Sequence, residues 1–353
     1  MPLTVLSVGY PLAKISRSTA GGAEQILLTL DKGLVASGDR SLVLAPRGSR
    51  CYGLLVPVST PTVNFDEKTK REAQSKFQDS LDRVLERYQV EVVHMHGVDF
   101  DRYLPRLKIP IVVSLHLPLA WYRQKALYER CPNLSLVAVS HTQARSAPHE
   151  VSITATIPNG IELEAFAGSR RQGTYALILG RICPEKGVHL ALEAAQRARM
   201  PVILAGTVFD YPEHQEYFQE MVRPRLSSKV RFIGAVGGKR KAHLLAGAQC
   251  LLVASLAPET SCLVAMEALA SGTAVVGWRS GALPEIVRHG STGFVVASVA
   301  EMADAIEAIG CIEPDCCRSE AERRFSSQAM VSGYRALYRE LVSDRTALEL
   351  KAA

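Results

Sequence analysis

No apolar run in this sequence approaches the length needed to span a bilayer, so a membrane-crossing helix is not expected. The chain opens almost at once on a short apolar run, Leu3 to Val8, with no basic segment ahead of it and too few apolar residues for a secretory signal. The 8 cysteines form no Cys-x-x-Cys pair and no regular spacing. Several lie inside apolar runs, as reduced core thiols do. The group Cys311, Cys316 and Cys317 has no histidine beside it, which argues against a metal site there. Together these absences predict a protein of the reducing cytoplasm. Charge of one sign is not concentrated either. Of 41 Lys+Arg and 35 Asp+Glu, 19 and 16 fall at or before Ala165, leaving 22 and 19 after it, so each half carries +3. With no basic arm or tail, nucleic acid is not an expected partner.

What is present is alternation. A length of 353 residues exceeds what one hydrophobic core usually serves, so two domains are expected. From the start to Ile157, short β-rich runs (Leu3-Val8, Ser41-Ala45, Glu91-Met95, Pro110-Leu115, Leu134-Val139 and Ile153-Ile157) alternate with helical pattern, clearest at Ala23-Ala36 and Lys68-Tyr88. Pro158-Asn159-Gly160 reads as a turn, and Ala167 to Gly173 has linker composition. The alternation then resumes, with strands expected at Thr174-Leu179, Pro201-Ala205, Val230-Ile233, Cys250-Ala254, Ala274-Gly277 and Phe294-Val296. The predicted architecture is α/β: two Rossmann-like domains, residues 1–165 and 170–326, facing a central crevice. A last helix from Ser327 places Met330, Val331, Tyr334, Leu337, Tyr338 and Leu341 on one stripe.

The most informative segment is Ala257-Pro258-Glu259-Thr260-Ser261-Cys262-Leu263-Val264-Ala265-Met266-Glu267. A short buried strand precedes it, and an Ala-rich helix from Cys262 to Ser271 follows its turn. Such a turn lies at the carboxyl edge of a parallel sheet, where ligands bind. Glu259 is expected to face that edge beside the free backbone N–H groups of Cys262 and Leu263. Glu267, little more than one turn into the helix, can reach another part of the same ligand. A second segment, Gly180-Arg181-Ile182-Cys183-Pro184-Glu185-Lys186-Gly187, follows a strand in the same way. Pro184 suits the first position of a helix, so Arg181 and Lys186 are expected to flank a helix amino terminus, which favours anions. Two fixed positive charges there could neutralise a diphosphate as it departs.

The two segments, in this order, resemble the donor-site signature of the family 4 retaining glycosyltransferases, whose fold is called GT-B. The resemblance spans nearly the whole chain, taking in Gly21-Gly22 at the mouth of the first helix, Pro158 to Glu162, and Ser280-Gly281-Ala282-Leu283-Pro284-Glu285. It implies that Arg181 and Lys186 contact the donor diphosphate, Glu259 the hydroxyls of the donor sugar and Glu267 the ribose. It further implies that Gly21, Gly22, Gly180, Thr260, Ser261, Cys262 and Leu263 line the donor, that Ile233-Gly234-Ala235 borders its base, and that the last helix crosses back to the first domain. Ser261 and Cys262 stand where the family usually has Phe and Gly, and Ser280 where it has Gly, which leaves the identity of the sugar open.

His116 ends the apolar run Ile111-Leu115 and matches the family histidine that approaches the reacting sugar. His94 is expected to be structural and His96 to face the acceptor. Asp99-Phe100-Asp101 has the Asp-x-Asp form of metal-dependent transferases with a single Rossmann-like domain, but that fold leaves the second α/β half unexplained. Lys14 and Arg17 could touch an acidic acceptor. The Lys68-Arg71 cluster could touch a membrane surface if the acceptor is a lipid, though a solvated helix face is the favoured reading.

The implied activity is metal-independent retaining transfer of a sugar from a nucleoside diphosphate sugar, UDP-linked by family frequency, to a hydroxyl of a glycan, lipid or small metabolite. No cofactor is required. Two other readings stay open: a non-hydrolysing sugar-nucleotide 2-epimerase, and a non-catalytic sugar-nucleotide-binding protein.

Overall fold

The computed structural model describes residues 2–17, 19, 21–61, 66–105, 107–128, 131–166 and 173–352. The chain divides into two compact units, Met1–Asn159 with Ser327–Ala353, and Gly160–Ser326. The division falls at Gly160 rather than at residue 165, because Ile161 and Phe166 are buried in the second unit's core and the Ile161 N–H donates to the Phe325 carbonyl at 2.8 Å. Most of the expected linker, residues 167–172, lies outside the described residues.

The first unit is built on seven parallel strands: β1 (Thr4–Val8), β2 (Arg40–Pro46), β3 (Leu54–Val58), β4 (Val92–Met95), β5 (Ile111–Leu115), β6 (Leu134–Ala138) and β7 (Ile153–Thr156). Their order is β3-β2-β1-β4-β5-β6-β7. Strands β4 and β5 are wholly buried, and β1 is buried from Val5 to Val8, because helices cover both faces of a parallel sheet. β3 is not among the strands expected above. Pro57 interrupts its pattern, and it is tolerated because β3 is an edge strand that needs no complete ladder.

The second unit repeats the plan with six parallel strands: β8 (Ala176–Leu179), β9 (Val202–Ala205), β10 (Val230–Phe232), β11 (Cys250–Val253), β12 (Ala274–Trp278) and β13 (Gly293–Val296). The order β10-β9-β8-β11-β12-β13 makes the ends of β8 and β11 the point where strand order reverses. Ligands bind at that switch point in doubly wound sheets. In the first unit, the ends of β1 and β4 hold the same place.

The last helix, Ser327–Ala352, belongs to the first unit. Val331 lies so close to Gly33, on the helix Gly22–Ala36, that a Cβ at Gly33 would come within 2.4 Å of it. Arg335 forms an ion pair with the buried Asp39 at 2.6 Å. Two tyrosines reach the sheet: the Tyr338 hydroxyl is hydrogen-bonded to Nδ1 of His94 at 2.6 Å, and the Tyr334 hydroxyl to Oγ of Ser114 at 2.5 Å. His94 Nε2 closes the chain to Ser114 at 2.8 Å. All four groups are buried, so each depends on the others for its hydrogen bonds. Tyr338→Phe leaves Nδ1 of His94 unpaired and is expected to destabilise the first unit by about 1–3 kcal/mol, measured as a lowered denaturation midpoint at unchanged m-value.

Candidate active site

Two loops meet at the switch point of the second sheet. The first leaves β8 through Gly180 and makes one turn of 3-10 helix, Pro184–Lys186, before the α-helix Val188–Arg197 begins. The expected helix start at Pro184 is thus a separate tight turn, closed by Gly187 in the left-handed conformation (φ 56°). Only glycine fits there, since a Cβ would lie 2.2 Å from the Ala254 carbonyl oxygen at the end of β11. The second loop, from β11, is hydrogen-bonded to the first: the N–H groups of Leu256 and Ala257 donate to the Glu185 carbonyl at 2.8 and 3.2 Å.

This close approach joins Lys186 to Glu259. The ammonium donates to Oε1 of Glu259 at 2.5 Å, and Oγ of Ser255 donates to the same oxygen. Burial pushes the Lys186 ammonium toward neutrality, but Glu259 beside it more than offsets this and holds its pKa above the ordinary value. The backbone of Glu259 is fixed as well. Its carbonyl accepts from the Ala282 N–H at 2.7 Å, and Gly281, at φ 56°, comes so near that a Cβ would lie 2.2 Å from that oxygen. Arg181 on the first loop is half-buried and makes no ion pair among the described residues.

From Glu259 the chain runs through Thr260 and Ser261 to Cys262, which caps the helix Leu263–Ala270 in a left-handed conformation (φ 47°). A side chain here is strained by about 1–2 kcal/mol, which explains why glycine is usual at this place in the family resembled. Glu267, one turn on, is buried, with Oε1 accepting from the Lys241 ammonium at 2.5 Å. Its other oxygen, Oε2, is buried with no hydrogen-bond partner, as is Oγ of Ser261. Burial raises the Glu267 carboxyl above its ordinary value while Lys241 opposes the shift.

Lys241 was not foreseen. It lies in the helix Gly238–Gly247, behind Lys239 and Arg240. Three cations at a helix amino terminus oppose its dipole, and that is the signal a closer reading could have used. Ile233-Gly234-Ala235 follows β10; Gly234 (φ 71°) has no atom within 4 Å of its Cβ position, and its carbonyl accepts from the Gly206 N–H at 2.9 Å.

In the first unit, His116 follows β5 and is buried against His96, with rings stacked 5.2 Å apart and Nδ1 of His96 2.9 Å from Nε2 of His116. Burial lowers the His116 pKa from 6.5 to about 4 and holds His94 and His96 well below their ordinary value. Burial thus favours the uncharged form of each ring. Nε2 of His96 is buried without a partner. Asp99 accepts from Nε2 of Gln74 at 2.6 Å and from the Tyr103 hydroxyl at 2.8 Å, and Asp101 pairs with Arg123. Both acids of the Asp-x-Asp therefore have protein partners. Gly21 caps the helix Gly22–Ala36, but the Glu24 carboxylate folds back over it, within 1.8 Å of the Gly21 Cβ position. A carboxylate of the chain itself thus stands over the glycine that the resemblance sets against the donor.

Residues 20–165 match the family description "Glycosyltransferase Family 4", and residues 173–310 match "Glycosyl transferases group 1". The chain belongs to the family 4 glycosyltransferases. Among relatives of this chain, a phosphatidyl-myo-inositol mannosyltransferase of Mycobacterium tuberculosis is 31% identical over 177 residues, 46% of each chain. The match thus spans about half of that relative's length. The protein of the same description from Mycolicibacterium smegmatis is 26% identical over 347 residues, covering 87% of this chain and 85% of that one. AviGT4, a glycosyltransferase involved in avilamycin A biosynthesis, superposes with a TM-score of 0.73 at 25% identity, covering 97% of this chain and 98% of its own. The fold of the chain is GT-B.

Two outcomes are expected for the family 4 chain without any ligand. Gly281→Ala forces a left-handed alanine against the Glu259 carbonyl and is expected to cost at least about 2 kcal/mol of second-unit stability, read by chemical denaturation. Acid is expected to weaken the first unit. His116 stays neutral in the fold down to about pH 4, whereas in the unfolded chain it takes a proton below about pH 6.5. Stability is therefore full above pH 6.5 and falls as pH drops toward 4, by about 3 kcal/mol from this ring alone. Thermal midpoints across that range should fall less steeply for His116→Gln.

Proposed function

We propose that the protein transfers a sugar, with retention of anomeric configuration, from a nucleoside diphosphate sugar to a hydroxyl acceptor. The second unit binds the donor, the first the acceptor, and the reaction takes place in the cytoplasm. The observation that carries the reading is a set of polar groups at one switch point: the Arg181 guanidinium, which makes no ion pair among the described residues, and Oε2 of Glu267 and Oγ of Ser261, both buried without a hydrogen-bond partner among them. A buried carboxylate oxygen without a partner suits a ribose hydroxyl, which donates to it. Arg181 and Lys186 neutralise the diphosphate as the glycosidic bond breaks, a task that fixed charge performs in place of a metal ion.

Glu259 holds hydroxyls of the donor sugar. Because its Oε1 is bonded to Lys186 in the free protein, the arriving diphosphate and sugar compete for the two halves of this pair. Gly180 and residues Thr260 to Leu263 line the donor, and Ile233-Gly234-Ala235 borders the base. His116, neutral, offers a hydrogen bond to the reacting sugar, with Gly21 and Gly22 at the same edge of the first sheet. The acceptor attacks the face the diphosphate leaves, and its proton passes to a phosphate oxygen of that group. A uridine donor is favoured because a structural neighbour, HepE of Anabaena, was solved with UDP-glucose; it superposes with a TM-score of 0.72 at 18% identity.

The test is a thermal-shift screen of UDP, GDP and ADP conjugates, followed by transfer assays with proton NMR of the product's anomeric centre. One conjugate is expected to shift the midpoint without added metal. Lys186→Ala should lower kcat by roughly 10²–10³-fold, and Glu259→Ala should abolish transfer while nucleotide still binds. Normal turnover by Lys186→Ala would overturn the charge assignment, and an inverted product the stereochemistry.

A further inference from the structure

The turn that carries Lys186 also supports a grouping that the transfer reaction does not use. Sγ of Cys183, the carboxylate of Glu185 and the imidazole of His214 each place a ligand atom within 4.8 Å of the others. Cys183 is fully buried and His214 nearly so. Oε2 of Glu185 and Nδ1 of His214 are both buried without any hydrogen-bond partner. A carboxylate oxygen and an imidazole nitrogen that both lack a partner, on two residues of one such grouping, leave donors for a shared ligand. We propose that Cys183, Glu185 and His214 bind one divalent cation of the zinc class.

The chemistry of the donors selects the ion. A thiolate, an imidazole and a carboxylate suit zinc and disfavour magnesium, which takes oxygen ligands. Burial pushes the Cys183 thiol up to about 11, so the ion must displace its proton; thiolate and carboxylate then supply two negative charges against the two positive charges of the ion, and the filled site is neutral. Tetrahedral zinc holds its ligand atoms about 3.3–3.6 Å apart, so the group must close by about an ångström through side-chain torsions. The scaffold is firm: Pro184 fixes the turn between Cys183 and Glu185, and His214 lies in the helix Pro212–Tyr217 with the rings of Tyr211 and Phe209 5.1 and 6.2 Å away. Three protein ligands leave a fourth position for water. An ion here would clamp the turn whose next residue is Lys186.

The test uses the full chain, stripped with chelator and titrated with cobalt(II), then zinc, with magnesium as the control. One equivalent of cobalt is expected to produce the thiolate-to-cobalt charge-transfer band, to be displaced by zinc, and to raise the thermal midpoint. Magnesium should do neither. Cys183→Ser is expected to remove the band, and His214→Gln to weaken cobalt affinity roughly tenfold or more. The exposed thiols are tested in Cys311→Ser/Cys316→Ser, which should keep the band. A wild-type protein that shows no band would assign the space to a water molecule. A band surviving both Cys183→Ser and His214→Gln would place the metal elsewhere. Either result overturns the proposal.

Discussion

The ion pair of Lys186 with Glu259 organises the second unit's ligand edge. It spans the two loops that leave β8 and β11, and it forms only because glycine at 187 lets one loop rest against the end of β11. Gly281 brings a third segment against the Glu259 backbone. Buried pairs add little net stability, yet losing one partner leaves a charge stranded, at a cost of about 3–5 kcal/mol. The pair is thus better understood as a device of register: it holds a cation and an anion at fixed positions where neither could remain alone.

The same logic recurs one helical turn away. Lys241 compensates the buried Glu267 as Lys186 compensates the partly buried Glu259, so each acid carries its own lysine. Arg181 makes no ion pair among the described residues and stands on the same loop as Lys186, so a cation remains there that an anionic group could engage. Glu267 differs from Glu259 in keeping one oxygen unpaired. That asymmetry separates a group that must exchange partners from one that can accept a ligand without giving anything up.

Much of this was legible in the sequence, for identifiable reasons. Strand runs in a parallel sheet are largely apolar and short, so twelve of the thirteen strands among the described residues were evident; β3 was hidden by Pro57, whose tolerance depends on edge position that only the folded sheet reveals. The motifs around Arg181 and Glu259 declared themselves because local spacing at a strand-to-helix turn fixes their placement. Contacts across the chain did not. The 73-residue span between Lys186 and Glu259 and the approach of Lys241 to Glu267 are set by strand order. The stacking of His96 on His116 follows from neighbouring strands β4 and β5, and periodicity along a chain carries no information about which strands are neighbours.

The last helix has a consequence for how the protein is made. It follows the entire second unit in the chain, yet it supplies the hydroxyls that His94 and Ser114 require and the guanidinium that Asp39 requires. As the polypeptide leaves the ribosome, the seven-stranded sheet can form early, but its buried polar centre must wait until the whole of residues 160–326 has been synthesised. During that interval the first unit presents an uncovered helix face and unsatisfied polar groups. It is then the part of the nascent chain most in need of a chaperone, and the unit begun first is the one finished last.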